Sequence, residues 1–105
     1  MIGLHGYELT SREEHFLSTY SPGGVILFGR NIHDVQQVSE LNAAIYELCD
    51  IPPLIGIDQE GGLVDRLRPL LTSTLSAEEL AENATLTQIE RYGEITGRML
   101  ATLGM

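Results

Sequence analysis

The sequence predicts an α/β fold built on a parallel sheet. Residues 24–28 and residues 54–57 are short apolar runs bounded by glycine or proline, which is typical of buried strands. Between them, apolar residues recur at three- and four-residue steps from Val35 to Leu48, which predicts an amphipathic helix. A strand, a helix and a strand in that order form a βαβ crossover, so the two strands are expected to lie parallel in one sheet.

The N-terminal segment is expected to form a first strand and a first helix. Residues 2–4 are a very short apolar stretch that suits a strand. Thr10 and Glu13 have the spacing of a capping box, in which the hydroxyl accepts from a free helix amide and the carboxylate reaches back. The helix is expected to run from Ser11 to Tyr20 and to end at the Ser-Pro-Gly of residues 21–23.

The central unit follows the same logic. After the second strand at residues 24–28, residues 29–33 are expected to form a loop. Asp34 is a predicted N-cap, with Gln37 at the position from which a side chain can return to the cap. The following helix is expected to end near Pro52, and its apolar face consists of Val35, Val38, Leu41, Ile45 and Leu48.

The third strand is expected at residues 54–57. It is apolar throughout, so burial on both faces is predicted. Residues 63–74 show no regular period and contain a proline, which predicts a loop. Ser76 and Glu79 form a second capping box, from which a short helix is expected to run to about Asn83.

A last helix is expected to open at residues 87–90. Gly93 and Gly97 lie four residues apart near its apolar face, which predicts close packing against a neighbour. Gly104 occupies the position of a C′ glycine, just after the last apolar residue of the period. The apolar face consists of Ile89, Tyr92, Thr96, Met99, Leu100 and Leu103.

Composition restricts the classes of function. The chain has 105 residues, which allows at most one domain, and a net charge of −9 from 15 acidic and 6 basic residues. All six bases are Arg and none cluster, which argues against nucleic-acid partners and anionic membrane surfaces. The single Cys49 excludes an internal disulfide and a Cys-based zinc site, and it is interpreted as a buried thiol. No signal peptide or membrane-spanning run is recognised, so a cytoplasmic location is expected.

The main functional signal is a pair of acids at the end of the third strand. Asp58 and Glu60 follow directly where α/β folds place their ligands, and in extended backbone they point to the same face. The two glycines at residues 61–62 allow a sharp turn and a close approach to a ligand. Arg66 and Arg68 follow in the loop and are expected to reach back over the same mouth. A carboxylate beside a guanidinium binds polyols well, because one accepts from hydroxyls and the other donates to them.

Alternative interpretations of these acids remain open. A strand-end carboxylate often only caps a loop or pairs with an Arg, and Asp-x-Glu also supplies oxygen ligands for a metal ion. No third carboxylate is placed nearby, so no metal site is predicted. His5, His15 and His33 are scattered and are interpreted as surface or packing residues, and no cofactor is expected.

The motifs at these positions carry a resemblance to a known family. Residues 24–31 read Gly-Val-Ile-Leu-Phe-Gly-Arg-Asn, and residues 57–66 read Ile-Asp-Gln-Glu-Gly-Gly-Leu-Val-Asp-Arg. With residues 97–104, they resemble the N-terminal part of family 3 glycoside hydrolases. The most similar branch is that of the β-N-acetylhexosaminidases that release N-acetylglucosamine from peptidoglycan fragments during recycling.

The resemblance implies a fold and a set of roles. The fold would be a (β/α)₈ TIM barrel, of which residues 1–105 would form a partial N-terminal domain of about three βα units. Asp58 would bind sugar hydroxyls and Arg66 would line the same pocket. Glu60, Gly61 and Gly62 would shape the loop of the site. The substrate would be a carbohydrate that contains terminal β-linked N-acetylglucosamine.

The chain also departs from the family pattern. Leu63 stands where the family usually has Arg, and Asp65 stands where it often has Gln. The loop from Pro69 to Leu75 also lacks the proline-containing segment that is expected before the next helix. The Lys-His-Phe-Pro-Gly-His-Gly motif, the acid/base loop and the nucleophilic Asp are not among these residues. A retaining glycosidase needs both of the last two groups, so the 105-residue chain is expected to be inactive by itself.

Three hypotheses follow. In the first, the chain is a fragment of a glycosidase that supplies sugar-binding residues and no catalytic ones. In the second, it is a non-catalytic carbohydrate-binding module that self-associates through open sheet edges, since only Met105 follows Gly104 where another strand is expected. The third, a doubly wound domain with a phosphate ligand, is disfavoured because Gly61 and Gly62 lack the Gly-x-Gly-x-x-Gly spacing.

Overall fold

The computed structural model describes all of residues 1–105 and contains a three-stranded parallel sheet. The strands are β1 (Ile2–Gly3), β2 (Gly24–Leu27) and β3 (Leu54–Ile57), in the spatial order β1-β2-β3. Helix α1 (Ser11–Tyr20) connects the first two strands, and helix α2 (Val35–Leu48) connects the second and third. The predicted βαβ architecture is therefore confirmed.

The remaining elements follow β3 in the chain. A short antiparallel hairpin is formed by β4 (Gln59–Gly61) and β5 (Val64–Asp65). Helix α3 (Ala77–Asn83) and helix α4 (Leu86–Thr102) complete the fold. The prediction of a loop over residues 63–74 was wrong at its start, because residues 64 and 65 pair with β4 across a turn at residues 62 and 63.

The helices begin where side chains satisfy their free backbone amides. Thr10 and Glu13 form the predicted capping box of α1, and Ser76 and Glu79 form that of α3. The N-cap of α2 is Asp34, whose carboxylate accepts from the amide of Gln37 at 2.9 Å. The Gln37 side chain does not return to this cap, because its Oε1 accepts from the amide of His33 at 2.9 Å.

The last helix starts earlier than its sequence pattern indicated. Its N-cap is Thr85, and Gln88 completes a capping box by accepting from the Thr85 amide at 2.8 Å. The prediction that residues 87–90 open the helix was wrong because Thr85 also has a partner three residues ahead. At the other end, Gly104 has φ +83°, which confirms it as the left-handed residue that ends the helix.

One face of the sheet carries the hydrophobic core. Val25 pairs with Ile55 and Leu27 pairs with Ile57, so these four side chains share the face against which α1 and α2 pack. The helices contribute Leu17, Val38, Leu41 and Ile45, and each of these is buried. The core is completed by Leu4, Ile32, Cys49, Leu67 and Leu103.

The opposite face of the sheet is only partly covered. It carries Ile26, which pairs with Gly3 on one side and Gly56 on the other, and Leu54, which is 76% exposed. The expectation that Leu54–Ile57 is buried on both faces is therefore wrong for this chain, because no element packs against that side. The exposed part of this face lies at β3, around Leu54.

Helix α4 extends away from the sheet. Only its last turns reach the core, through Met99, Leu100 and Leu103. A Cβ atom at Gly93 or Gly97 would meet no atom within 4 Å, so the close packing predicted for these glycines does not occur within this chain. The molecule is elongated, measuring 47 × 22 × 20 Å. Its radius of gyration is 15.1 Å, against about 13 Å for a compact domain of this length.

Candidate functional site

Asp58, which was predicted to bind a ligand, lies with other polar side chains at the carboxyl ends of the parallel strands. Asp58 follows β3 directly and is exposed. Arg30 and Asn31 follow β2, within a single 3-10 turn at residues 29–31. Since the strands are parallel, these residues share one edge of the sheet with His5, which follows β1.

Asn31 joins the ends of β1 and β2. It is fully buried, and its Nδ2 donates to the carbonyl oxygens of Leu4 at 3.3 Å and Gly6 at 2.8 Å. Its Oδ1 accepts from the amide of Phe28 at 2.9 Å. Arg30 adds a bond from Nε to the Leu4 carbonyl at 2.9 Å, and its guanidinium lies over the Phe28 ring. The Arg-Asn pair of the motif therefore holds this edge of the sheet in place.

The β4–β5 hairpin determines how Asp58 and Arg66 are arranged. Gln59 is the partner of Asp65 in the antiparallel ladder. Asp58 directly precedes β4 and Arg66 directly follows β5, so the two residues flank the hairpin without being paired in its ladder. The two do not form an ion pair in the structure, whose ion pairs all lie elsewhere.

Arg66 has an unused donor. Its Nε is buried and has no hydrogen-bond partner. A buried guanidinium donor without a partner is costly, because the group has lost its water without gaining a protein acceptor. Because this Nε is itself shielded from solvent, an external acceptor could reach it only if the Arg66 side chain moves.

Gln59 is the centre of a polar network inside the hairpin. Its Oε1 accepts from the amides of Arg66 at 3.0 Å and Leu67 at 3.1 Å. Its Nε2 donates to Asp65 Oδ1 at 2.9 Å and to Thr74 Oγ1 at 3.0 Å. The side chain next to Asp58 thus fixes the backbone on which Arg66 is carried.

Asp65 closes the same network from the other strand. Its Oδ2 accepts from the amide of Thr74 at 2.8 Å. Partial burial by itself raises the pKa of the Asp65 carboxyl, but the hydrogen bonds from Thr74 and Gln59, and the charge of Arg68, together lower that pKa below its ordinary value. Asp65 is therefore held as a carboxylate that connects the loop before α3 to the hairpin.

The two glycines at the tip of the hairpin pack against the chain itself. Gly61 has φ +77° and Gly62 has φ +56°, a region that favours glycine. A Cβ atom on Gly61 would lie 1.9 Å from the Leu75 carbonyl oxygen, and one on Gly62 would lie 2.9 Å from the Ser76 Cβ. The close approach that these glycines permit is thus to the start of α3.

Arg68 takes a different position from the one expected, whereas Glu60 lies in extended backbone. Arg68 was expected to reach over the same mouth as Arg66, but its Nη2 donates to the Gly62 carbonyl at 3.2 Å and to Ser73 Oγ at 3.3 Å. Arg68 therefore braces the hairpin turn. Glu60 lies in extended backbone within β4 and is exposed.

Two open grooves border this region. One of about 910 Å³ runs between the hairpin and the start of α3, and residues 60–64, 68 and 73–79 line it. A second of about 400 Å³ lies at the ends of β1 and β2, where His5, Glu13 and Arg30 contribute the polar groups. Neither groove is lined by Asp58 or Arg66.

The remaining candidate groups, which are the possible metal ligands, the histidine at position 33 and the single cysteine, show no arrangement of a binding site. No cluster of three or more His, Cys, Asp or Glu side chains could hold a metal ion. The His33 Nδ1 lies 3.0 Å from Asp34 Oδ2 on the surface, and its ring packs edge-on against Tyr7. Cys49 is buried, as predicted, and its Sγ lies 3.8 Å from the Leu17 carbonyl. No helix is both long enough and apolar enough to cross a lipid bilayer.

The sequence contains a signal for the hairpin that a strand-by-strand interpretation misses. A glycine-rich connection such as residues 61–63, set between two short segments, is typical of a tight hairpin as well as of the end of a strand. A hairpin at that position brings Gln59 opposite Asp65. Thr74 carries no comparable local signal.

Comparison with known proteins identifies similar chains. The sequence profile described as the glycosyl hydrolase family 3 N terminal domain matches residues 2–105. A beta-hexosaminidase of Vibrio cholerae serotype O1 is 54% identical over 67 residues, which cover 64% of this chain and 20% of the relative. A beta-hexosaminidase of Stenotrophomonas maltophilia is 47% identical over 68 residues, which cover 65% of this chain and 20% of the relative. The match thus spans about a fifth of these relatives' length.

Solved structures show the same fold. A family 3 beta-N-acetylglucosaminidase from Paenibacillus sp. str. FPU-7 superposes with a TM-score of 0.92 at 30% identity, covering 100% of this chain and 21% of the other. The native NagZ of Neisseria gonorrhoeae superposes with a TM-score of 0.82 at 26% identity, covering 100% of this chain and 33% of the other. The fold is therefore that of the N-terminal part of a TIM-barrel domain.

Proposed function

Because the chain belongs to glycosyl hydrolase family 3, whose N-terminal domain it matches over residues 2–105, we propose that it supplies the sugar-binding edge of a β-N-acetylhexosaminidase-like barrel. The relatives named beta-hexosaminidase and the solved beta-N-acetylglucosaminidase support an N-acetylglucosamine-containing substrate. In the whole enzyme the reaction would release terminal β-linked N-acetylglucosamine with retention, from peptidoglycan fragments or other amino sugars. The bond-breaking carboxylates would be supplied by other parts of that enzyme.

The observation that carries the proposal is that Asp58 and Arg66 flank the same short hairpin, one directly before β4 and the other directly after β5. The exposed carboxylate of Asp58 can accept two hydroxyl hydrogen bonds, and the guanidinium of Arg66, which makes no ion pair, can donate to a third oxygen. The hairpin that they flank follows directly on the carboxyl end of β3. Glu60, Gly61 and Gly62 would then shape one wall of the site through the turn.

Sugar binding by the chain tests this proposal directly. Titration of the labelled 105-residue chain with N-acetylglucosamine should shift the amide resonances of Asp58 and Arg66 in a saturable way. Asp58→Ala should remove that response. The matched control is Asp50→Ala, since Asp50 is exposed and precedes β3 at the other end of the sheet. An unchanged wild-type spectrum at a large excess of sugar would contradict the proposal.

Activity measurements test the division of roles. The 105-residue chain should release no product from a chromogenic N-acetylglucosaminide, because a retaining mechanism needs a nucleophile and a proton donor that the proposed site lacks. Turnover by the pure chain that is lost in Asp58→Asn would assign Asp58 a catalytic role and overturn this part of the proposal.

A second candidate function is a self-associating module. Leu86, Ile89 and Ile95 of α4 are exposed to 72%, 38% and 52%, and the outer edge of β3 is unpaired. This candidate predicts a discrete oligomer in sedimentation experiments, which Ile95→Asp should weaken. A single monomeric species at all concentrations would favour the first function alone.

A further inference from the structure

We propose that Gln59 is a positioning residue, which holds the backbone that carries Arg66 and so makes Asp58 and Arg66 competent to bind a sugar together. This inference rests on the proposed function, because it concerns the same site. Gln59 follows Asp58 directly in the chain and bonds the amide of Arg66, so one side chain links the two binding residues.

The geometry supports a positioning role because Gln59 uses both ends of its amide. The oxygen accepts from two consecutive backbone amides, those of Arg66 and Leu67. Two consecutive amides that converge on one acceptor fix the orientation of the peptide unit between them. The direction in which the Arg66 side chain leaves the backbone is thereby set by Gln59.

The nitrogen end of the same amide is anchored in turn. It donates to Asp65 Oδ1 at 2.9 Å and to Thr74 Oγ1 at 3.0 Å, and Asp65 also accepts from the Thr74 amide at 2.8 Å. These partners lie on β5 and on the segment before α3. The Gln59 side chain therefore cannot rotate without breaking its hydrogen bonds to Asp65 and Thr74. Because the same side chain also bonds the Arg66 amide, the position of the Arg66 backbone depends on these two anchors.

Asp58 and Arg66 lie at opposite ends of the hairpin in the chain and make no ion pair of their own. Without Gln59, the segment after β5 would lose the acceptor for two of its amides, and the unpartnered Nε of Arg66 would be free to turn to water. The sugar would then have to order Arg66 at the cost of its own binding free energy.

Two single variants and one double exchange test the role. Gln59→Ala removes every bond of the network that Gln59 makes, and Gln59→Glu keeps the acceptor for Arg66 while placing a second carboxylate beside Asp65. Combining Gln59→Glu with Asp65→Asn exchanges donor and acceptor. The new side-chain amide at position 65 can then donate to the new carboxylate at position 59, and its oxygen can accept from the Thr74 amide. Gln36→Ala is the control, because Gln36 is exposed on α2 and its side chain bonds only Glu40.

The expected results separate positioning from general stability. Gln59→Ala and Gln59→Glu should weaken N-acetylglucosamine binding by about tenfold, the change that corresponds to one hydrogen bond, while the amide spectrum of β1, β2 and β3 keeps its dispersion. The double exchange should restore most of the affinity, and Gln36→Ala should bind as the wild type does. Wild-type affinity in Gln59→Ala, or no recovery in the double exchange, would overturn the inference.

A second readout does not depend on sugar binding. Hydrogen exchange of the Arg66 and Leu67 amides should be at least about tenfold faster in Gln59→Ala than in the wild type, and slow again in the double exchange. If the wild-type chain binds no sugar but these amides respond, the proposed function fails and the positioning of Arg66 stands. If the amides do not respond to Gln59→Ala, the positioning role fails whether or not the chain binds sugar.

Discussion

Asn42 on α2 donates from Nδ2 to the carbonyl oxygen of Leu103 at 2.7 Å, across 61 residues of chain. Leu103 is the residue at which α4 ends, and its side chain is buried in the core. The contact satisfies one of the carbonyl groups that a helix leaves unpaired at its C-terminus. One buried amide on the central helix therefore fixes the end of the last helix.

Replacement of Asn42 by Ala should lower the free energy of unfolding by about 1–3 kcal/mol, because it leaves the Leu103 carbonyl buried without a donor. Urea denaturation followed by circular dichroism measures the change. Asn83→Ala is the control, since Asn83 is exposed at the end of α3, and it should change the free energy by less than about 0.5 kcal/mol. Equal effects of the two replacements would contradict the importance of the Asn42 contact.

Two glycines should respond to alanine in opposite directions. Gly61→Ala should destabilise the chain by more than about 2 kcal/mol, because φ is +77° and the Cβ would lie 1.9 Å from the Leu75 carbonyl oxygen. Gly93→Ala should stabilise it by about 1 kcal/mol, because Gly93 is inside α4 with open space around it. Thermal unfolding of both variants measures the signs, and a stable Gly61→Ala protein would show that the hairpin sits differently against α3.

Glu13 should make the stability of the chain depend on pH. Its carboxylate accepts from the His5 amide at 2.7 Å, the Thr10 amide at 2.8 Å and the Thr10 hydroxyl at 2.6 Å. Partial burial by itself raises the pKa of Glu13, but the bonds from Thr10 and His5 outweigh it and lower the pKa below its ordinary value. A lowered pKa in the folded state means that the folded state favours the ionised form.

The stabilisation by Glu13 is therefore present above the pKa of the unfolded chain and is lost as the pH falls through the lower pKa of the folded chain. Glu13→Gln should reduce stability at neutral pH by about 1 kcal/mol and make its decline in acid shallower. The neighbouring Glu14 is exposed, so Glu14→Gln is the control and should change the free energy of unfolding at neutral pH by less than about 0.5 kcal/mol. Parallel profiles for the wild type and Glu13→Gln would show that Glu13 does not carry this dependence.

Cys49 should react slowly with thiol reagents in the folded chain. It is 7% exposed, and burial followed by the charge of Asp50 raises the pKa of its thiol, so the reactive thiolate is scarce. Labelling should accelerate by orders of magnitude in urea. A cysteine introduced by Ser18→Cys on the exposed side of α1 should react quickly in both conditions, and fast native labelling of Cys49 would indicate frequent opening between α1 and α2.

Local sequence signals were sufficient for most of the fold. The capping boxes at Thr10 and Ser76 located two helices, because both partners of each box lie within one turn. The start of α4 was misplaced because Thr85 and Thr87 both have a side chain three residues ahead that could complete a box. The apolar residues of β3 did not reveal whether its second face is buried. Burial of that face requires another element to pack against it, and this chain does not supply one.

The candidate site was only half visible in the sequence. Asp58 could be located, because a carboxylate at the end of an apolar strand is a local pattern. The role of Gln59 could not, because its partners Asp65 and Thr74 lie 6 and 15 residues away and come together only when the hairpin forms. The packing of Gly61 against Leu75 was hidden for the same reason.

The unpaired outer edge of β3 affects the tendency of the chain to aggregate in concentrated solution. The strand Leu54–Ile57 offers four consecutive residues without charge as a template for cross-β pairing between molecules. Pro52 and Pro53 lie directly before it and cannot donate to such a ladder, and Asp58 lies directly after it with a charge. The same carboxylate that is proposed to bind sugar would thus also oppose strand pairing between molecules through its charge. Neutralising Asp58 should therefore shorten the lag time of fibril formation.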